Sequence, residues 1–141
     1  MNEERRLRRS DFPILRELST RWRDEDAYGH VNNVVHYELF DTAVNGWLID
    51  AAGVDIRALP AVGLVVETSC RYLAELRFPQ SVTAGVRVDH VGRTSVVYSI
   101  ALFGAADEPA AFGRFVHVYV DPETRRPVPV PDVLRQVLLG I

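Results

Sequence analysis

The stretch RWRDEDAYGHVNN, from Arg21 to Asn33, gathers three carboxylates (Asp24, Glu25 and Asp26), an imidazole (His30) and two side-chain amides (Asn32 and Asn33) directly before an apolar run. A carboxylate can act as a nucleophile or as the base that activates water, and an imidazole can orient either one. If a helix begins within a residue or two of Asn32 and Asn33, the unpaired N–H groups of its first turn, aided by the helix dipole, form a site for negative charge. Such a set serves a reaction in which charge develops on a carbonyl oxygen. Each residue also has a plainer use. Asp24 can pair with Arg21 or Arg23 on the surface, Asn32 or Asn33 can cap the helix, Gly29 can supply a backbone angle that other residues resist, and His30 can be structural.

For this chemistry the loop must be held between two regular elements, and the flanking sequence predicts both. From Ile14 to Trp22 the pattern ILRELSTRW partly alternates and reads as a strand. After Asn33 the period changes. Tyr37, Phe40, Val44, Trp47, Leu48 and Ala51 fall on one helical arc with His36 and Ala43, while Glu38, Thr42, Asn45 and Ile49 point the other way. Gly53 is a natural stop, so the helix should run about twenty residues and need a broad apolar partner.

The rest of the chain supplies that partner. LVVETSCRYL, SVTAGVRVDHV, TSVVYSIALF and AFGRFVHVYV are rich in β-branched and aromatic residues and separated by breakers, so they predict four further strands. Val82, Val86 and Val88 alternate with Thr83, Arg87 and Asp89, which predicts one buried face and one wet face. Turns as short as VGRT make consecutive strands antiparallel. Prolines keep DPETRRPVPVPD irregular, and DVLRQVLLGI closes the chain as a short helix. The plan is α+β.

Composition narrows the setting. With 141 residues, 48% of them hydrophobic, residues 1–141 should form one domain, with residues 1–10 (including EERRLRRS) as a flexible tail. A net charge of −3 gives no general attraction to nucleic acid or an anionic membrane. No window reaches the ~18 apolar residues of a membrane span. The single cysteine, Cys70, has no internal disulfide partner, and the charged start does not resemble a secretory signal, so a cytoplasmic protein is expected. Asp24, Asp26, His30 and His36 are the only hard-ligand candidates, and three of them crowd one loop; no metal site is expected.

The segments DEDAYGHVNN, HYELFDTA, CRYLAELRFPQSVTAGVRVDHVGRTSVVYSIAL and VHVYVDPETRRPVPVP together resemble the hotdog-fold acyl-coenzyme A thioesterases related to 4-hydroxybenzoyl-coenzyme A thioesterase. The run D-x-D-x-x-G-H-V-N-N is the most specific part. The resemblance implies an antiparallel sheet wrapped around a long central helix and hydrolysis of an acyl-coenzyme A thioester. It places the catalytic carboxylate at Asp26 and the carbonyl-polarising amide at or beside Asn33, with His30 and Asn32 as their neighbours. Gly29, His36 and Tyr37 would border the acyl group, and Arg93, Thr94 and Ser95 the nucleotide end. No cofactor is implied beyond the coenzyme A of the substrate. A homodimer or homotetramer is implied, with the acyl site between subunits. Two departures stand out: His30 has no counterpart in the 4-hydroxybenzoyl branch, and His36 stands where relatives carry tyrosine. Another branch uses a mid-helix carboxylate, which makes Glu38 and Asp41 secondary options. A hotdog enoyl-thioester hydratase and a non-catalytic acyl-coenzyme A sensor are the competing readings, although the D-x-N-P-x-H run associated with hydratases is missing.

Overall fold

The computed structural model describes residues 3–140. Five strands, β1 (Ile14–Leu18), β2 (Val62–Tyr72), β3 (Val82–Val91), β4 (Ser95–Phe103) and β5 (Pro109–Val120), form one antiparallel sheet. Two α-helices accompany it, α1 (Val35–Ala52) and α2 (Asp132–Leu139). The strand order is β1-β3-β4-β5-β2. Short turns join β3, β4 and β5 into a meander, and the two earlier strands pair with its outer members. The chain therefore has to cross from one edge of the sheet to the other between β1 and β2, and α1 makes that crossing. It touches β1 at one edge and β2 at the other, so the sheet curls round it.

The buried face of α1 is Val35, His36, Leu39, Phe40, Ala43, Val44, Trp47 and Leu48. Ala51, expected on this arc, is exposed, and Leu39 takes a place on it, because the helix ends before a further turn meets the sheet. Gly53 stops the helix as expected, in the left-handed region at φ 69°, with its N–H on Ile49 O at 2.9 Å. Close approach to the sheet depends on Gly113 of β5. A Cβ there would lie 2.4 Å from the Phe40 ring and 2.5 Å from Ser69 O.

Three expectations are corrected by packing. The first strand ends at Leu18, and Trp22–Asp24 is a 3-10 turn, because Asp24 Oδ2 accepts from Arg21 N at 2.7 Å and draws the chain out of line with the sheet. The second face of β3 is not wet at its start: Thr83 and Gly85 are buried. Phe12 covers them, seated on Gly85 and edge-on to Phe103 at 6.0 Å, in a small cluster with Leu7, Ala101 and Phe112. The segment expected to trail as a tail leads into that cover. From Glu3 onward it forms 3-10 turns, and the Arg9 guanidinium donates to Gly104 O at 2.6 Å, Ala106 O at 2.9 Å and Asp107 Oδ1 at 3.0 Å. Met1 and Asn2 lie outside the described residues.

At the far end, Val128 N donates to Tyr119 O and Val130 N to Arg93 O, which lays the proline-rich stretch along the sheet before α2 buries Leu134 and Leu138. No helix among the described residues is long and apolar enough to cross a membrane.

Two expected outcomes test this packing. Gly113→Ala cannot be accommodated by rotating Phe40 alone, since Ser69 O is backbone, and it should cost about 1–3 kcal/mol in urea unfolding. His117 is a second probe. It is buried among Tyr98, Phe115 and Tyr119, its Nδ1 has no partner, and burial pushes its imidazole down to about 4. The unfolded chain takes up the proton near pH 6.5 and the folded chain only near 4, so this contribution to stability is complete above the higher value. It is lost as the pH falls between them, by on the order of 3 kcal/mol. Unfolding measured from pH 7 to 4 should show that slope, and His117→Phe should flatten it.

Candidate active site

The loop before α1 closes on itself. Glu25 and Val31 form an isolated antiparallel bridge, Asp26 N donates to His30 O at 3.1 Å, and Gly29 N donates to Asp26 O at 3.2 Å. Gly29 has φ 82°, a left-handed angle that fits the reason for glycine here. Asp26 is thereby turned inward. Its Oδ1 accepts from Tyr28 N at 2.9 Å, and its Oδ2, with no hydrogen bond among the described residues, lies 3.8 Å from His30 Nδ1. That distance is too long for a hydrogen bond. His30 Nδ1 instead donates to Val31 O at 3.2 Å, and the ring stacks on exposed Tyr28.

Two distant segments brace this loop. Asp24 is buried, not on the surface as expected; it does pair with Arg21, whose Nε lies 2.9 Å from its Oδ1. Asp24 O accepts from Asn32 N at 2.8 Å. From the other side comes the chain that leaves β2: Val31 N donates to Leu76 O at 2.7 Å, Phe78 N to Glu25 Oε2 at 3.0 Å, and the Arg77 guanidinium to Gly29 O.

At the helix mouth Asn32 does its work from outside the first turn. Val34 holds the N-cap position without a side-chain bond, while Asn32 Oδ1 accepts from Val34 N at 3.1 Å and Asn32 O from Val35 N at 2.9 Å. The Asn33 N–H has no acceptor among the described residues, and Asn33 lines a cleft of about 320 Å³. The other walls are His30, Val31, His36, Tyr72 and residues 73–76. Asp26, 3.8 Å from His30, is not itself part of the wall.

His36 is 3% exposed. Burial lowers its imidazole below the ordinary histidine value, so the ring is neutral near pH 7. Tyr72 meets it edge to face with centroids 4.8 Å apart, and the Tyr72 hydroxyl donates to Asn33 O at 2.8 Å. Burial, with Cys70 and Tyr37 nearby, raises the Tyr72 phenol well above its ordinary value. Cys70 is likewise pushed up to about 11 by burial, which keeps it a thiol. Tyr37 packs edge-on against Phe40 and does not line the cleft.

Other candidates lie elsewhere. Glu38 pairs with Arg21 at 2.8 Å, and Asp41 Oδ1 accepts from Asn45 Nδ2 at 2.9 Å; both are exposed and neither borders the cleft. Arg93, Thr94 and Ser95 form the β3–β4 turn. Tyr72 pairs with Ala111 and Ser95 with Val118, seven positions along β5, so this turn is about 23 Å from the cleft within one chain. Among the described residues no three His, Cys, Asp or Glu side chains gather closely enough to hold a metal ion. Tyr72, Leu76 and Arg77 are the site residues that reading the sequence missed. The run RYLAELRF carries polar residues just past a strand, but their partners lie about forty residues away.

Comparison with known proteins adds to this geometry. The model of the thioesterase-like superfamily matches residues 20–138. Among solved structures, the PA5185 protein of Pseudomonas aeruginosa strain PAO1 is 47% identical over 94% of each chain, with a TM-score of 0.90. A thioesterase from Thermus thermophilus, complexed with coenzyme A and zinc, is 28% identical over 92% of this chain and 93% of its own, at a TM-score of 0.77. Slr0204 of Synechocystis, a 1,4-dihydroxy-2-naphthoyl-CoA thioesterase, shares the fold at 13% identity, over 90% of this chain and 96% of its own, with a TM-score of 0.82. None of the curated proteins matches.

The brace at Asp24 can be tested by itself. Asp24→Ala strips Arg21 N and Nε of their acceptor, leaving the guanidinium only Glu38, and should cost about 1–3 kcal/mol in urea unfolding, since hydrogen bonds to a buried carboxylate are lost. An unchanged midpoint would show that the 3-10 turn stands without it.

Proposed function

Because the chain belongs to the thioesterase-like superfamily and has its hotdog fold, it is a thioester hydrolase, and we propose that it cleaves acyl-coenzyme A to a free acid and coenzyme A. The observation that carries the proposal is the Asn33 N–H, without an acceptor among the described residues, at the wall of a cleft that His30 also lines, with Asp26 3.8 Å from that imidazole. A thioester carbonyl placed in the cleft would meet that amide as charge develops on its oxygen. Asp26 Oδ1 is anchored and Oδ2 has no hydrogen bond among the described residues. One oxygen would orient the group while the other acts in one of two ways. It attacks the carbonyl, expelling the coenzyme A thiolate and leaving a mixed anhydride that water then hydrolyses, or it draws a proton from a water that attacks the carbonyl and expels the thiolate, which takes up that proton. His30, which lines the cleft and lies 3.8 Å from Asp26, would order that water. The coenzyme A held by the thermophilic thioesterase supports the leaving group. No cofactor enters the proposed reaction.

We further propose that the working unit is at least a homodimer. Strand β2 pairs only with β5 and leaves an eleven-residue edge on which Leu64, Val65, Val66 and Tyr72 are exposed. An open apolar edge of that length favours pairing with a second copy. A second copy would also bring another Arg93, Thr94 and Ser95 turn, which within one chain cannot reach the cleft; its guanidinium suits the coenzyme A phosphates. The surroundings of the lone thiol fit a cytoplasmic setting. The second reading, a binding protein without hydrolysis, draws on Asp26 not lining the cleft.

Thiol release from short, long and aromatic acyl-coenzyme A thioesters separates the two. Wild type should hydrolyse at least one class, and Asp26→Asn should lower kcat on that class by on the order of 10²–10⁴. Full activity in Asp26→Asn would remove Asp26 from the reaction. Tight acyl-coenzyme A binding without thiol release by wild type would establish the binding protein instead.

A further inference from the structure

Two successive peptides lead into α1, and a side chain grips the carbonyl of each. Asn32 O accepts from Val35 N at 2.9 Å and also from His36 Nδ1 at 3.2 Å. Asn33 O accepts from the Tyr72 hydroxyl at 2.8 Å, while the N–H of that same peptide, on Val34, donates to Asn32 Oδ1 at 3.1 Å. The two gripping rings touch each other edge to face, at an interplanar angle of 81°. Of the amides from Asn32 to Val35, only Asn33 N–H has no acceptor among the described residues. It belongs to the peptide whose carbonyl His36 holds.

A donor on a carbonyl oxygen draws electron density through the peptide and makes the N–H on its other side a stronger donor, as in any chain of hydrogen bonds. The His36 contact is one-way: a carbonyl only accepts, so Nδ1 carries the hydrogen. Burial and the Tyr72 ring keep the imidazole in that pose before any ligand arrives. The structure therefore has a dipole aligned along His36 Nδ1–H, the Asn32–Asn33 peptide and the cleft.

We infer that His36 is a positioning residue for hydrolysis, braced by Tyr72, which orients and polarises the Asn32–Asn33 peptide so that Asn33 N–H meets the developing oxyanion. This rests on the thioester-hydrolase reading and deepens it: His36, which the sequence places beside the acyl group, acts through the backbone. In this chain the donor at Nδ1 is then what His36 contributes, and its ring is secondary.

Two substitutions pull those properties apart. Asparagine has an amide nitrogen where histidine has Nδ1, so His36→Asn keeps the donor and loses the ring, whereas His36→Phe keeps a ring against Tyr72 and loses the donor. Tyr72→Phe removes only the hydroxyl on Asn33 O. The experiment measures kcat and KM on the best acyl-coenzyme A substrate, together with the amide proton shift of Asn33 by NMR in the substrate-free protein. Expected are a kcat lowered about tenfold or more in His36→Phe at nearly unchanged KM, a kcat close to wild type in His36→Asn, and an Asn33 amide shifted upfield only where the donor is gone. The inference is overturned if kcat follows the ring, with His36→Asn impaired and His36→Phe intact, or if the Asn33 shift ignores the donor. Should wild type hydrolyse no thioester, the hydrolase reading fails while the shift still decides whether His36 polarises the amide. Should His36→Phe not fold, His36→Leu, which also lacks the donor, takes its place with the same expected kcat loss and Asn33 shift, and Tyr72→Phe tests the brace on the exposed side. An unchanged kcat there, with the Asn33 shift of wild type, counts against the brace, and a loss of kcat at constant KM supports it.

Discussion

Phe40 rests on the bare backbone of Gly113, and the position of the helix mouth depends on that contact. With any side chain at residue 113 Phe40, and with it the helix, would have to move away from the sheet, and β2 would have to shift as well, because the other neighbour of the missing Cβ is the carbonyl of Ser69. Seated as it is, α1 reaches from the β1 edge to the β2 edge. Its first turn then ends beside the last residue of β2, and Tyr72 can put a hydroxyl on Asn33 O. A packing contact in the middle of the helix thus sets a hydrogen bond at its start.

Around that start the protein solves a recurring problem of helix ends, the unpaired N–H groups, in an uneven way. Asn32 satisfies Val34 and Val35 with its side chain and its carbonyl, and Asp24 O satisfies Asn32. Of the amides from Asn32 to Val35, Asn33 alone has no acceptor among the described residues. A buried unpaired amide would be costly, but this one belongs to a residue at a cleft wall, where water or a ligand can supply the acceptor. Satisfaction of its neighbours is what leaves the Asn33 donor available without loosening the turn that carries it.

The two buried imidazoles show how placement divides the work. Both lie below the ordinary histidine value for the same first reason, loss of water around the charged form. His117 sits among aromatic rings with its Nδ1 unpartnered, so it contributes shape to the core and a sensitivity to acid. His36 has a carbonyl on Nδ1 and a cleft beside it, and so couples burial to the backbone of the site. The same side chain becomes core in one place and a fixed dipole in the other.

Much of this was legible in the chain. The ends of β2 to β5 fall within two residues of the segments read from their β-branched and aromatic content, Gly53 closes the helix, and the polar loop stands where the spacing put it. Periodicity reports these things because it records whether a face is covered. It does not record what covers it. That β2 lies beyond β5, that Phe12 blankets the outer face of β3, that Asp24 is buried and that Tyr72 and Leu76 hold Asn33 and Val31 are contacts between segments far apart in sequence. The loop's composition set which groups were available for chemistry, because carboxylate, imidazole and helix amides are local facts. Which of them reach the cleft, and that Asp26 is not part of its wall while the Arg93 turn lies at the other end of the sheet, depended on strand order and register, which only the folded chain decides.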